Sequence, residues 1–388
     1  MRTARSAAAF SVLSIVALVV PMNTASAQTS QVADHRPIRL VQIGPDNSGY
    51  TRSVLNRRGQ VAFTLGSDDL IGHVTLWDRG VTTEVAPFVS EASAINGRGT
   101  VAGFMYPHYP APGSAEAFIW RDGVLRSVGV AGEQSLPVDV NERDEVLINR
   151  WPEGASSDRA SVLRRGREIV SPLAPGGPLH GAAMNDRGQV VGTAADYGGA
   201  YLWEPGTELR RLDGLESTSF EAQEINDAGT VVGEYVANDN FRTFVWRRGR
   251  MLDVGTLGGL ATREWPTDVE NGRLNERGQV TGFSELADET SHAFLWSDGE
   301  LLDLGTLGGA NSFGTSINDR GEVVGISETA AGIPSAFLWR DGTMIDLGAL
   351  VPGAQQSQAH QINNRGQVLG RAATPWDNLI LWETRNRG

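Results

Sequence analysis

Beyond its first residues, hydrophobic positions in this chain fall in short runs broken by Asn, Asp and Gly. No segment after Ala27 keeps a capped 3.6-residue periodicity, so the runs read as strands rather than helices. They also repeat. An apolar residue, an asparagine, two variable residues and a glycine lead into a β-branched run at Asn56, Asn96, Asn141, Asn185, Asn226, Asn275, Asn318 and Asn363. The step is roughly 44 residues. Asp144 replaces the glycine in the third copy. A second run in each copy ends in tryptophan, at Trp77, Trp120, Trp203, Trp246, Trp296, Trp339 and Trp382, with Leu163 in the third copy. A glycine follows three residues on, as at Gly299 and Gly342, and then another apolar run.

Each copy therefore predicts four strands, a to d. In the seventh, strand a ends at Ile317, strand b covers 322–325, strand c 336–339 and strand d 344–348. Asn suits the opening of a tight turn, and Gly the positive φ that ends it. A four-stranded unit of this length is the size of a propeller blade. The eighth copy stops after strand c at Trp382, while a lone d-like strand at 38–43 precedes the first. The expectation is an all-β, eight-bladed β-propeller, closed by strand 38–43 completing the last blade. A seven-bladed ring and a β-solenoid are the alternatives. The framework tryptophans read as wedges between blades.

The N-terminus follows another logic. Arg2 and Arg5 precede an apolar segment at 7–20, and Ala25-Ser26-Ala27 is a small-x-small cleavage site. This predicts a signal peptide at 1–27, a linker at 28–37, the repeat domain at 38–383 and a tail at 384–388. The protein is expected to be secreted or extracytoplasmic, monomeric and without a membrane span. It has no cysteine, so neither a disulfide framework nor a lipidated cysteine is available. The 33 basic residues, all arginine, stand against 46 acids for a net charge of −13. That balance argues against nucleic acid or an anionic membrane as partner.

The stretches His292-Ala293-Phe294-Leu295-Trp296, Asp303-Leu304-Gly305-Thr306-Leu307-Gly308-Gly309 and Ile317-Asn318-Asp319-Arg320-Gly321-Glu322-Val323-Val324-Gly325 together resemble the HAF repeat of predicted extracellular bacterial proteins. The resemblance covers roughly 38–383 and is most specific in the fifth to eighth copies. It weakens in the first and third, where Phe63 and Ile148 replace the strand-b glycine and Leu163 replaces tryptophan. It implies an exported repeat protein and supplies no site.

In such a ring the a–b and c–d turns share one face, and the b–c and d–a loops the other. The second set varies in length, which is where rigid scaffolds carry function. Its aromatic residues, Tyr106, Tyr109, Trp151, Tyr197, Tyr235, Trp265 and Trp376, with His108, are the candidate ligand-binding set. Twelve acids also fall in the b–c segments, Asp158, Glu285 and Glu328 among them, against Arg150 and Arg371. On the opposite face seven turns carry arginine (Arg58, Arg98, Arg143, Arg187, Arg277, Arg320, Arg365), a circlet fit for an anion or for ion pairs across blades. There is no nucleophile elbow, phosphate loop, zinc motif or calcium loop, so no catalytic residue, metal or cofactor is assigned. The histidines are scattered and do not read as a ligand set. The leading expectation is an extracellular binding module for a glycan or peptide. The alternatives are a polymer-acting lyase or hydrolase, with carboxylates or a His–acid pair at the channel mouth, and a purely structural surface protein.

Overall fold

The Asn-x-x-Gly turns set the fold. In a computed structural model, Asn275 Oδ1 accepts the backbone N–H groups of Arg277 and Gln279 at 3.0 and 2.9 Å, and Gly278 takes φ +77°. The asparagine side chain thus caps the turn that folds strand b back onto strand a. The structure describes residues 19–20, 39–43, 52–66, 72–107, 115–130, 133–194, 199–217, 219–263, 272–374 and 377–384.

Eight four-stranded antiparallel blades follow in chain order, at 53–84, 89–127, 134–170, 179–212, 220–253, 262–303, 308–346 and 356–383, arranged in a ring. The protein is an eight-bladed β-propeller. In the last blade Arg39–Gln42 pairs antiparallel with Asp377–Glu383, placing Arg39 opposite Glu383 and Gln42 opposite Ile380. Val19–Val20 pairs in turn with Arg39–Gln42. The core is divided into eight apolar clusters, one at each junction between neighbouring blades. Most framework tryptophans lie in these wedges; Trp203, Trp296 and Trp382 are almost fully buried, while Trp339 is half-buried. The junction of the eighth and first blades holds Val41, Ile43, Phe63, Trp77 and Leu381.

The asparagines have a second task that their turn role conceals. Each donates through Nδ2 to the backbone carbonyl of the next blade's asparagine, at 2.8–3.3 Å. The series runs from Asn56 to Asn96 and onward, and Asn363 returns to Asn56. Eight hydrogen bonds form a closed circle around the channel. A second set clasps strand c to the following blade. Backbone N–H groups of Val74, Ala117, Thr243, Ala293 and Ala336 donate to hydroxyls of Ser90, Ser135, Thr262, Ser312 and Ser357.

Six inner strands carry a β-bulge three residues before the turn asparagine, at Ser93, Val138, Ala182, Gln223, Thr315 and His360. The bulge bends strand a and drives a carbonyl against strand b. That accounts for a strand-b glycine. A Cβ on Gly325 would lie 1.9 Å from Phe313 O, and one on Gly233 2.0 Å from Glu221 O. Only hydrogen fits there.

Candidate functional site

The inner strands begin on the face that carries the b–c and d–a loops and descend along the channel. Near that mouth lies a cavity of about 310 Å³. The third blade supplies Leu136 and Pro137 from strand a (Gln134–Val140), and Asn149 and Trp151 from strand b (Val146–Trp151). His180 comes from strand a of the fourth blade (Leu179–Met184), and Glu221 from strand a of the fifth (Phe220–Ile225). Arg52 and Arg273 reach it from the first and sixth blades. A second cavity of about 220 Å³, also lined by Arg52, lies among Asp139, Ser316 and Gln361 toward the a–b turns.

The third blade is built differently from its siblings here. Ile148 occupies the glycine position, pairs with Pro137 and is fully buried. The next residue, Asn149, is buried and ties the third blade to the fourth. Its Nδ2 donates to Gly181 O and its Oδ1 accepts Gly181 N–H, both at 2.9 Å. This brings His180 against Asp158, a b–c loop residue. Nδ1 of His180 lies 2.6 Å from Asp158 Oδ2, with the histidine side chain 53% exposed and the aspartate 8%. A buried carboxylate against Nδ1 fixes the imidazole's tautomer and orientation. The ring's other nitrogen, Nε2, is turned away from that carboxylate. An aromatic face, an oriented imidazole and an exposed carboxylate at Glu221 thus share one cavity. They can stack on a ring, exchange hydrogen bonds with a polar ligand and move a proton.

Among the described residues, Trp151 is the member of the aromatic set that lines this cavity. Tyr106 packs edge-to-face on Phe104 within the second blade. Tyr235 is buried, stacks on Phe220 and belongs to the core between the fourth and fifth blades. Burial, with the Asp253 carboxylate adding to it, raises its hydroxyl pKa to about 12. His108, Tyr109, Tyr197, Trp265 and Trp376 lie outside the described residues. Of the acids on this face, Asp158 serves the cavity, while Glu328 accepts the backbone N–H groups of Ala310 and Asn311 and so shapes the start of strand a in the seventh blade. Sequence reading passed over His180, Asn149 and Arg52. The available signal was the departure of the first and third blades from the repeat, since those blades supply Arg52, Asn149 and Trp151.

The opposite mouth is ringed by charge. Arg98 pairs with Asp144 across blades, and Arg143 and Arg320 with Glu145 and Glu322 in their own blades. Inside the arginines, Glu142, Asp186, Asp227, Glu276 and Asp319 each accept a backbone N–H from the preceding blade. Partial burial, then the charges of Asp227, Asp319 and Asp186, raise the Glu276 pKa to about 7. Its folded pKa exceeds the unfolded one, so its stabilising share is complete in acid and lost as pH rises through 7. Glu276→Gln keeps the acceptor for Asp227 N–H. It is expected to raise stability by about 1 kcal/mol at pH 8, after solvent screening, and by little at pH 5. Thermal unfolding at the two pH values checks this; an equal shift at both contradicts it.

Among the described residues no helix is long and apolar enough to cross a membrane. No protein-family model matches the chain, and no curated protein matches it in sequence. Several solved structures are similar in fold. One is the β-propeller domain of the Trilobed protease from Pyrococcus furiosus, 13% identical over 69% of this chain and 86% of that one, with a TM-score of 0.47. Another is virginiamycin B lyase from Staphylococcus aureus, 10% identical over 89% and 99%, with a TM-score of 0.45. A third is TolB from Acinetobacter baumannii, 13% identical over 84% and 77%, with a TM-score of 0.39. The chain shares the propeller architecture with these proteins, and its site stands on its own residues.

Proposed function

We propose that the protein is an exported, HAF-type binding module that holds a short glycan or peptide in the channel-mouth cavity of the third to fifth blades. One observation carries this reading: in the third blade Asn149, beside the strand-b glycine position, and Trp151, a tryptophan off the framework, both line that cavity. The Trp151 ring supplies the apolar contact, and His180, Glu221 and Gln223 the polar ones. Export rests on the Arg2/Arg5 segment and the Ala25–Ala27 site.

The His180–Asp158 pair favours a second reading, in which the same cavity is the active site of a polymer-acting lyase or hydrolase and His180 is its general base or acid. One set of variants separates the two. A glycan and peptide array identifies a ligand, and calorimetry measures it. Trp151→Ala is expected to weaken binding at least tenfold, with His180→Gln and Asp158→Asn following. If His180→Gln still binds but abolishes turnover of the bound polymer, the enzyme reading holds. Wild-type affinity in both Trp151→Ala and His180→Gln removes the cavity from consideration.

A further inference from the structure

We propose a separate oxyanion site on the opposite face, at the junction of the second and third blades, built from Arg98, Arg143, Arg164 and Arg165 for a tetrahedral phosphate or sulfate group. These four arginines and Glu145 line an open cavity of about 510 Å³. Arg121 stands beside it. In a chain of net charge −13, five guanidinium groups gather here around three carboxylates, Asp122, Asp144 and Glu145. Two positive charges stay uncompensated within the cluster.

Two of the carboxylates, Asp144 and Glu145, are already engaged by the cations and by neighbouring side chains. Asp144 Oδ1 accepts Asn96 Nδ2 at 2.9 Å and Thr100 Oγ1 at 2.7 Å, and its Oδ2 meets Arg98 and Arg121. Glu145 is buried; Oε2 accepts Asn141 Nδ2 and Arg143 Nη2, and Oε1 lies 2.7 Å from Arg164 Nε, an ion contact not aligned as a hydrogen bond. Guanidinium donors remain in excess, because each carries five N–H groups and these pairs engage one or two of them. Arg98, Arg143 and Arg164 are held in place before a ligand arrives, which lowers the entropy lost on binding. Planar forks of this kind match the oxygen edge of a tetrahedral oxyanion.

Backbone strain points the same way. Asp144 sits at φ +61°, where the other seven turns use glycine. A non-glycine residue in that region costs about 1 kcal/mol or more, and such outliers gather at functional positions. Here the strained side chain positions Arg98 and Arg121. Glu145 likewise stands where most blades carry neutral Gln or Thr, and it holds Arg143 and Arg164.

The test titrates the full chain with sodium phosphate, sodium sulfate and glycerol 3-phosphate at constant ionic strength, with sodium chloride as the reference, by calorimetry and thermal shift. Saturable binding of phosphate or sulfate is expected, with none to chloride. Arg165→Gln, which removes a guanidinium with no ion pair among the described residues, is expected to weaken binding at least tenfold. Asp144→Gly restores the turn residue of the other blades and releases Arg98 and Arg121. It is expected to weaken binding similarly while leaving the unliganded unfolding temperature equal or higher. Arg248→Gln, in the corresponding c–d turn of the fifth blade, and Trp151→Ala in the other cavity are expected to bind as wild type. Glycerol 3-phosphate binding as tightly as phosphate assigns the site to an esterified group, and binding of the inorganic ions alone assigns it to the free anion. No saturable response to any oxyanion, or wild-type affinity in Arg165→Gln and Asp144→Gly together, overturns the proposal.

Discussion

A chain that starts after Ile43 is expected to lose most of its thermal stability. The truncation strips Arg39–Gln42 and its partner Val19–Val20 from the last blade and leaves the hydrogen-bonding edge of Asp377–Glu383 unpaired. It also removes Val41 and Ile43, both buried at the junction of the eighth and first blades. Burial of two such side chains is worth about 1.5–3 kcal/mol each, before the lost ladder bonds are counted. The sum approaches the whole stability of a domain. The expected result is a drop in unfolding temperature of more than 10 °C, or loss of a cooperative transition, with protease cleavage spreading from the eighth blade. A truncated chain that melts with the full-length protein would show that the asparagine circle and the remaining core hold the ring without this strand. Val41→Glu in the full chain is the milder companion, expected to destabilise in the same direction.

Asn275→Ala carries the second large effect, about 2–4 kcal/mol. It deletes the Nδ2 bond to Asn318 O in the next blade and the bond to Gln279 Oε1. It also leaves the Arg277 and Gln279 N–H groups without their acceptor inside a partly buried turn. Asn275→Asp keeps that acceptor but sets a carboxylate oxygen against the Asn318 carbonyl. At neutral pH it is expected to cost at least as much as alanine. Arg277→Ala, exposed in the same turn, is expected to stay within about 0.5 kcal/mol. Denaturant midpoints with an unchanged slope measure all three. A cost below about 1 kcal/mol for Asn275→Ala would reduce the asparagine to an ordinary turn former.

Much of the fold is legible in the sequence because its signals are local. The Asn–Gly spacing marks the a–b turn, and the alternating runs around it mark the strands it joins. The tryptophan position is legible for a similar reason, since a large ring ending strand c at a fixed period has to fill a wedge. The circle of asparagines is not legible, because each acceptor lies a whole repeat away and is a carbonyl that every residue type offers. The bulges are hidden too. Ser93, Val138, Ala182, Gln223, Thr315 and His360 share no chemistry, and in five of the six blades only the glycine opposite betrays the close approach.

The site divides along the same line. Trp151 stands out in the sequence as a tryptophan off the framework. His180 does not, because what distinguishes it is a buried aspartate from the neighbouring blade's loop. The breaks in the repeat at Ile148, Leu163 and Asp144 are visible from the start. Read as signals rather than as weakened matches, they would have pointed to the third blade. Ile148 stands next to Asn149 of the channel cavity, and Asp144 marks the arginine cluster on the opposite face.

His360 shows what a bulge can do to chemistry. It is buried at the bulge of the eighth blade, and burial, aided by the Arg371 charge, lowers its pKa to about 3. It therefore remains a neutral ring in the folded protein throughout the physiological range.

The hydrogen bonds of the asparagine circle all run in one rotational sense, and the last hands on to the first. Arg39 and Glu383, far apart in the chain, face each other in one blade. The ring accordingly has no structural beginning. Which blade counts as the first is set by where the backbone is cut, so the chain is one of several linear orders in which the same closed object could be written.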